Sequence, residues 1–332
     1  MQKMMLRIKF RYAFYGKTEH SFESGIMKIK VIQRDTEVQM KEIKLKAMAK
    51  INLGLDVLRK REDGYHEVRM IMQTIDLCDE VTIEQITAEE ITLSMNKELP
   101  DGCPMQKNLV YRAAILMKER YALPDGMNII LTKNIPAAAG LAGGSSDCAA
   151  TLLGINELYN LDLSLDELCD IGVTLGADVP FCIRKGTMLS EGIGEILTPL
   201  TPLPPMWTLL IKPNISVSTA YVYGNLDLQK QLDHPDTDAV LDAIAHCDGA
   251  KVAHLLSNVL ETVTIPKYPV LAELKQFLLE NGAVGALMSG SGPTTYGLFQ
   301  DEIAARMALS AATQKYTNYD VILCQTKNVP AL

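Results

Sequence analysis

A regular alternation of apolar and polar residues begins at Lys41. Ile43, Leu45, Ala47 and Ala49 interleave with Glu42, Lys44, Lys46, Met48 and Lys50, a period of two broken only by Met48. Successive strand side chains face opposite ways, so this run, continued through Ile51 to Leu58, predicts a strand. After a loop at 59–65, further strands are expected at 67–74, 80–86 and 91–95. Asn108 stands where a helix N-cap belongs, ahead of the amphipathic run 109–117. A β-like run at 128–133 leads into a small-residue loop and a helix over 145–159. Ser164 with Glu167 three residues on forms a capping box for a helix ending before Gly176. Past residue 205, strands are expected at 207–212, 286–289 and 294–299, and helices at 239–245 and 270–280. Strands and helices fill both halves without strict β-α-β alternation, which favours an α+β fold over a doubly wound parallel sheet.

Thr198-Pro-Leu-Thr-Pro-Leu-Pro-Pro205 holds four prolines in eight residues, which neither a helix nor a central strand accommodates. The expected division is therefore 41–203 and 204–332, with 1–40 as an aperiodic appendage of unassigned role. That appendage has eight Lys/Arg and four Asp/Glu in a chain of net charge −8, so the body beyond it carries −12. Such an acidic body excludes broad nucleic-acid binding, which needs clustered positive charge. At 332 residues the chain is long enough for a sizeable core without disulfides or structural metal. The seven cysteines form no C-x-x-C pair and read as free thiols of a reducing compartment. With no apolar run of about 20 residues to span a bilayer, a cytoplasmic protein is expected, free of membrane and nucleic-acid partners and either monomer or homodimer.

The densest chemical signal is Pro136-Ala137-Ala138-Ala139-Gly140-Leu141-Ala142-Gly143-Gly144-Ser145-Ser146, placed between a β-like run and a helix. Glycines let backbone approach an anion, and the first helical turn offers unpaired N–H groups with partial positive charge. Ser145 and Ser146 add hydroxyls, either of which suits a phosphate-bound Mg²⁺. A capped turn needs one Gly and one Ser, fewer than are here, so the loop reads as a phosphate site. No Lys follows the glycines, which excludes a P-loop, and the spacing of Gly140, Gly143 and Gly144 excludes the Rossmann fingerprint.

That block resembles the ATP-phosphate loop of the GHMP kinases, the small-molecule kinase superfamily that includes galactokinase, homoserine kinase, mevalonate kinase and phosphomevalonate kinase. Lys46-Ala-Met-Ala-Lys50-Ile-Asn52-Leu-Gly-Leu and Gly285-Ala-Leu-Met-Ser289-Gly290-Ser-Gly292-Pro resemble the superfamily's N-terminal and C-terminal motifs. The resemblance implies a ribosomal protein S5 domain 2-like N-terminal domain, a ferredoxin-like C-terminal domain, and ATP used with Mg²⁺. Arg61-Glu62-Asp63-Gly64-Tyr65-His66-Glu67 and Gly176-Ala177-Asp178-Val179-Pro180-Phe181 are similar to signatures of the branch acting on CDP-methylerythritol. That branch phosphorylates the substrate's 2-hydroxyl in non-mevalonate isoprenoid precursor synthesis. Two loop positions depart from the pattern: Ala142 where Gly is common, and Cys148 where Ala is common.

Spacing alone leaves several residues ambiguous. Asp178 is equally an N-cap or turn residue, Lys50 an edge-strand lysine, and Asn108 a plain helix cap. The resemblance gives them roles. Asp178 matches the proton-accepting aspartate and Lys50 the cation beside it; Asn52 would bond substrate, and Asn108 would line the adenine pocket. Tyr65 would stack on cytosine and His66 hydrogen-bond it. Tyr223 would complete the sandwich, with Tyr221 as its rival and Thr219 nearby. Ser289, Gly290 and Gly292 would close over substrate phosphates. The alternatives are a sister kinase for homoserine or mevalonate, which gives Asp-Gly-Tyr-His no evident task, and a non-catalytic nucleotide-binding protein on the same fold.

Overall fold

The computed structural model describes residues 30–32, 40–97, 104–228 and 233–328. The alternating run at 41–58 forms β2 (Met40–Lys60), which is preceded by β1 (Lys30–Ile32) and turns at Asp63-Gly64 into β3 (His66–Ile86). β2 and β3 pair antiparallel throughout, with register shifts at Met48/Lys50, Asn52/Gly54 and Val57/Arg59. The two strands expected at 67–74 and 80–86 are thus one. Asp79, which breaks the apolar pattern, is fully buried because it binds the loop beyond β5. β3 changes its second partner along its length. It pairs with β6 (Thr187–Gly192) over Val68–Gln73 and with β5 (Gly126–Thr132) over Glu80–Ile86.

β4 (Ile91–Met95) and β7 (Ile196–Pro199) extend this sheet, and β9 (Ser257–Asn258) joins it parallel to β2. The expected appendage lies mostly outside the described residues. Its residues Lys30–Ile32, however, pair with Met40–Glu42 and so belong to the sheet, which corrects that part of the expectation. α1 (Leu109–Arg120) and α2 (Gly143–Leu158) bury Ala113, Ala114, Met117, Cys148, Leu152 and Ile155 in a common core with Ile43, Val81 and Ile129 of the sheet. α3 (Leu165–Val173) has the anticipated Ser164–Glu167 capping box and is followed by the short α4 (Val179–Arg184).

A second, antiparallel sheet has the order β10-β11-β8-β12, from β8 (Trp207–Lys212), β10 (Gly285–Met288), β11 (Thr295–Phe299) and β12 (Asp320–Gln325). α5 (Thr219–Gly224), α6 (Thr237–Ala245), α7 (Gly249–His254), α8 (Glu261–Lys267), α9 (Val270–Glu280) and α10 (Glu302–Lys315) complete this part of the chain. Among the described residues no helix is long and apolar enough to cross a membrane. All six described cysteines are free.

Candidate active site

The glycine–serine loop leaves β5 pinned at its root. Asp79 accepts the backbone N–H groups of Asn134 (2.5 Å) and Ile135 (2.7 Å) through Oδ1 and binds Lys133 through Oδ2. The same Lys133 amine reaches Asp147 of α2 at 2.6 Å. Ala138, Gly140 and Ala142 take left-handed φ of 48°, 74° and 56°, so two alanines hold a conformation that favours glycine. Ala142 is the N-cap of α2 and offers no capping side chain. The N–H groups of Gly143, Gly144 and Ser145 lack acceptors one turn back within the helix. Residues 136–145 all line a cavity of about 950 Å³.

Ser145 and Ser146 part company here. Ser145 is half-buried and lines the cavity. Ser146 is buried, does not line it, and donates its hydroxyl to the Met48 carbonyl. The side chain of Ser146 is therefore withdrawn from the nucleotide contact expected of it, because α2 turns it toward β2. Asn108 is a helix cap that also reaches the cavity. Its Oδ1 accepts from the Val110 N–H at 2.9 Å as a cap of α1, and the residue borders the cavity beside Leu109.

Lys50 and Asp178 line this same cavity, Lys50 from β2 and Asp178 from the N-terminal end of α4. They are not an ion pair. The Lys50 amine, on a residue 4% exposed, donates to Asn52 Oδ1 at 2.7 Å. The Asp178 carboxylate has no hydrogen bond or ion pair among the described residues. Asn52 is fully buried, and its Oδ1 also accepts the Gly290 N–H at 3.1 Å. Asn52, expected to bond substrate, does not line the cavity, and its oxygen is occupied in positioning Lys50 and the 289–292 turn.

In the turn between β2 and β3, Asp63 Oδ1 accepts the Tyr65 N–H at 3.0 Å, and Gly64 has φ 88°. This turn leaves Tyr65 59% exposed at the rim. The rings of His66 and Tyr223 lie 5.2 Å apart at 43°, and both border the cavity with Thr219. Burial, then the nearby Lys60 cation, lowers the His66 pKa, so its imidazole is neutral at pH 7. Tyr221 points elsewhere, under the Lys267 amine 3.3 Å from its ring centroid. The geometry separates the two tyrosines that spacing left open.

The 289–292 turn is locked rather than free. Ser289 is fully buried and donates to the Gly140 carbonyl at 2.9 Å, and a Cβ on Gly140 would lie 2.2 Å from the Ser289 oxygen. Gly290 and Ser291 reach the cavity; Ser289 and Gly292 do not line it. Ser289 ties the turn to the 136–145 loop, and the Gly292 N–H donates to the Ser289 carbonyl within the turn. Sequence reasoning missed Lys60, Lys107, Lys133 and Ser291 as cavity residues. Lys107, directly before the Asn108 cap, was the most accessible signal.

A pinned glycine loop at a helix start, opposite a buried lysine and an unpaired aspartate, is the equipment of a phosphoryl-transfer enzyme. The models "GHMP kinases N terminal domain" and "GHMP kinases C terminal" match residues 108–186 and 240–318. The chain is an ATP-dependent small-molecule kinase of that superfamily. A 4-diphosphocytidyl-2-C-methyl-D-erythritol kinase of Lachnoclostridium phytofermentans is 52% identical over 267 residues, 80% of this chain and 91% of the relative. One from Acetivibrio thermocellus is 50% identical over 288 residues, 86% of this chain and all of the relative. A crystal structure of 4-(cytidine 5'-diphospho)-2C-methyl-D-erythritol kinase aligns with TM-score 0.72 and 34% identity, covering 86% of this chain and 100% of the other. Homoserine kinase from Cytophaga hutchinsonii shares the fold, with TM-score 0.70 at 20% identity, covering 90% and 96% of the two chains. The chain belongs to the 4-diphosphocytidyl-2-C-methyl-D-erythritol kinase family.

Proposed function

We propose that the chain transfers the γ-phosphoryl group of ATP to the 2-hydroxyl of 4-diphosphocytidyl-2-C-methyl-D-erythritol, giving the 2-phosphate and ADP. One observation carries this reading: the glycine loop, Lys50 with Asp178, and Tyr65 with His66 and Tyr223 all line a single cavity. The loop's N–H groups and the start of α2 receive the triphosphate, with Asn108 toward the base. The cytosine lies between Tyr65 and Tyr223, where the neutral His66 imidazole hydrogen-bonds its edge. This fixes the 2-hydroxyl beside the γ-phosphorus, and such positioning is the main demand of phosphoryl transfer.

Asp178 accepts the hydroxyl proton as the new P–O bond forms. Its lack of a partner leaves both oxygens open to that proton. Lys50, aimed by Asn52, offsets the charge growing on the transferred group. On this reading Mg²⁺ would arrive bound to the nucleotide. Ser145, whose hydroxyl-bearing residue faces the cavity, would hold that ion, and the ion would neutralise phosphate charge. On the same reading the chain divides at 203/204 into an ATP-binding and catalytic part, which also brings Tyr65 and His66 to the substrate, and a substrate-binding part that adds Tyr223.

The test is a kinase assay with ATP and, separately, CDP-methylerythritol and homoserine as acceptors. Turnover of the cytidyl substrate is the expected result. Turnover of homoserine alone would overturn the proposal.

A further inference from the structure

The hairpin that carries Tyr65 and His66 begins with three consecutive basic residues, Arg59, Lys60 and Arg61, and their surroundings differ. Arg59 pairs with Glu67 at 3.1 Å; Arg61 pairs with Asp63 at 3.0 Å and with Glu67 at 3.3 Å. Strand alternation sends Lys60 to the opposite face from Arg59. There it pairs with His66 in backbone register and lines the cavity, and no carboxylate among the described residues lies within ion-pair distance. Its cation is close enough to contribute to the lowered His66 pKa.

The cavity as a whole is lined by four lysines and two aspartates, in a chain of net charge −8. Lys133 is neutralised by Asp79 and Asp147, and Lys50 is held by Asn52 near the transferred group. Lys107 stands at the nucleotide end, beside Asn108. At the cytosine end Lys60 is the one unpaired cation among the described lining residues. A cation left without a counter-ion beside a base-binding hairpin suits an anion attached to that base.

We infer that Lys60 binds the diphosphate bridge of the cytidyl substrate and selects a nucleoside-diphosphate-linked alcohol over a free one. This rests on the proposed function and names the recognition within its acceptor site. Lysine reads phosphate as a point charge, so Arg should substitute for it and a neutral amide should not.

Equilibrium binding of CDP and of cytidine to wild type, Lys60→Ala, Lys60→Gln and Lys60→Arg tests it, with KM measured for ATP and for CDP-methylerythritol. A charge-assisted contact predicts that the affinity ratio of CDP over cytidine falls about tenfold in Lys60→Ala and Lys60→Gln. Lys60→Arg should keep most of the ratio. KM for CDP-methylerythritol should rise by a similar factor while KM for ATP stays within about twofold. In Lys60→Ala the His66 ring should also titrate at higher pH by NMR, which confirms the variant folded and the amine's position. An unchanged CDP-to-cytidine ratio in a folded Lys60→Ala overturns the inference. So does a rise confined to the KM for ATP, which would place the amine on the nucleotide donor's phosphates instead. A wild type that phosphorylates only homoserine refutes the proposed function, and the binding ratio still decides Lys60.

Discussion

The proposed chemistry converges on Asp178, which lines the cavity with no hydrogen bond or ion pair to its carboxylate among the described residues, while Lys50 is steadied by Asn52. Asp178→Asn keeps the shape and removes the proton acceptor. It should lower kcat by roughly 10²–10⁴-fold with little change in ATP affinity, as steady-state kinetics and nucleotide titration would show. On the proposed reading Tyr65 acts on binding rather than chemistry, being exposed at the rim and held there by the Asp63 turn. Base–aromatic stacking is worth roughly 1–3 kcal/mol, so Tyr65→Ala should raise KM for the cytidyl substrate about tenfold or more. An unchanged KM would remove it from the base site. Local motifs are enough to name these residues as candidates, because each motif is short and contiguous in the chain. The motifs could not show that Asn52 and Ser289 turn inward, since inward or outward depends on what packs against them.

At the scale of elements, the loop 136–145 and the turn 289–292 act as one unit. Gly140 has φ 74° and sits against the Ser289 carbonyl, so Gly140→Ala meets both a disfavoured conformation and a backbone clash. A loss of about 2–4 kcal/mol in urea unfolding is expected. Ala142, at φ 56°, is the opposite case. Ala142→Gly should be neutral or stabilising by up to about 1 kcal/mol, because relieved strain exceeds the added freedom of the unfolded chain. Beneath the loop, burial lifts the Asp147 carboxyl to about 7 against the pull of Lys133. A carboxyl raised in the folded state binds protons that the unfolded chain has released. Its contribution to stability is therefore fully present below about pH 4 and is lost as pH rises toward 7. Asp147→Asn should remove that slope, seen by comparing urea midpoints of the two proteins at pH 5 and pH 8.

For the whole molecule, a cleft richer in lysine than in aspartate sits within an acidic chain, and both expected substrates are polyanions. Fields of this kind speed association and are screened by salt. kcat/KM for both substrates should fall as ionic strength rises from about 0.05 to 0.5 M, and kcat should change less. A kcat/KM indifferent to salt would show that the cleft's charge is already balanced. The two sheets meet at this cleft through contacts far apart in sequence. Asn52 binds Gly290, Tyr296 Oη donates to the Asn52 carbonyl at 2.6 Å, and Asn258 holds the Met288 and Gly290 carbonyls at 2.8 Å. The positions of Asp178 and the glycine loop relative to Tyr223 depend on those ties.

Periodicity marked β2, α1 and α9, since an element with one buried face writes its period into the chain. A capping box marked α3, and a continuous apolar run marked β8, which is buried on both faces. Glycines and serines before a helix marked the loop 136–145 as a candidate phosphate site for a similarly local reason. α10 and β12 went unmarked. The buried face of α10 is Ala305, Ala308 and Ala312, residues too small and too common to show a pattern, and β12 is bounded by no clear signal. Tertiary structure alone decided that β3 is one strand, that the Ser146 and Asn52 side chains are buried against protein outside the cavity lining, and that Tyr223 rather than Tyr221 borders the cleft. Each of those outcomes turns on a neighbour distant along the chain, such as Asp79 for Lys133 or Gly290 for Asn52, and local pattern carries no record of such neighbours.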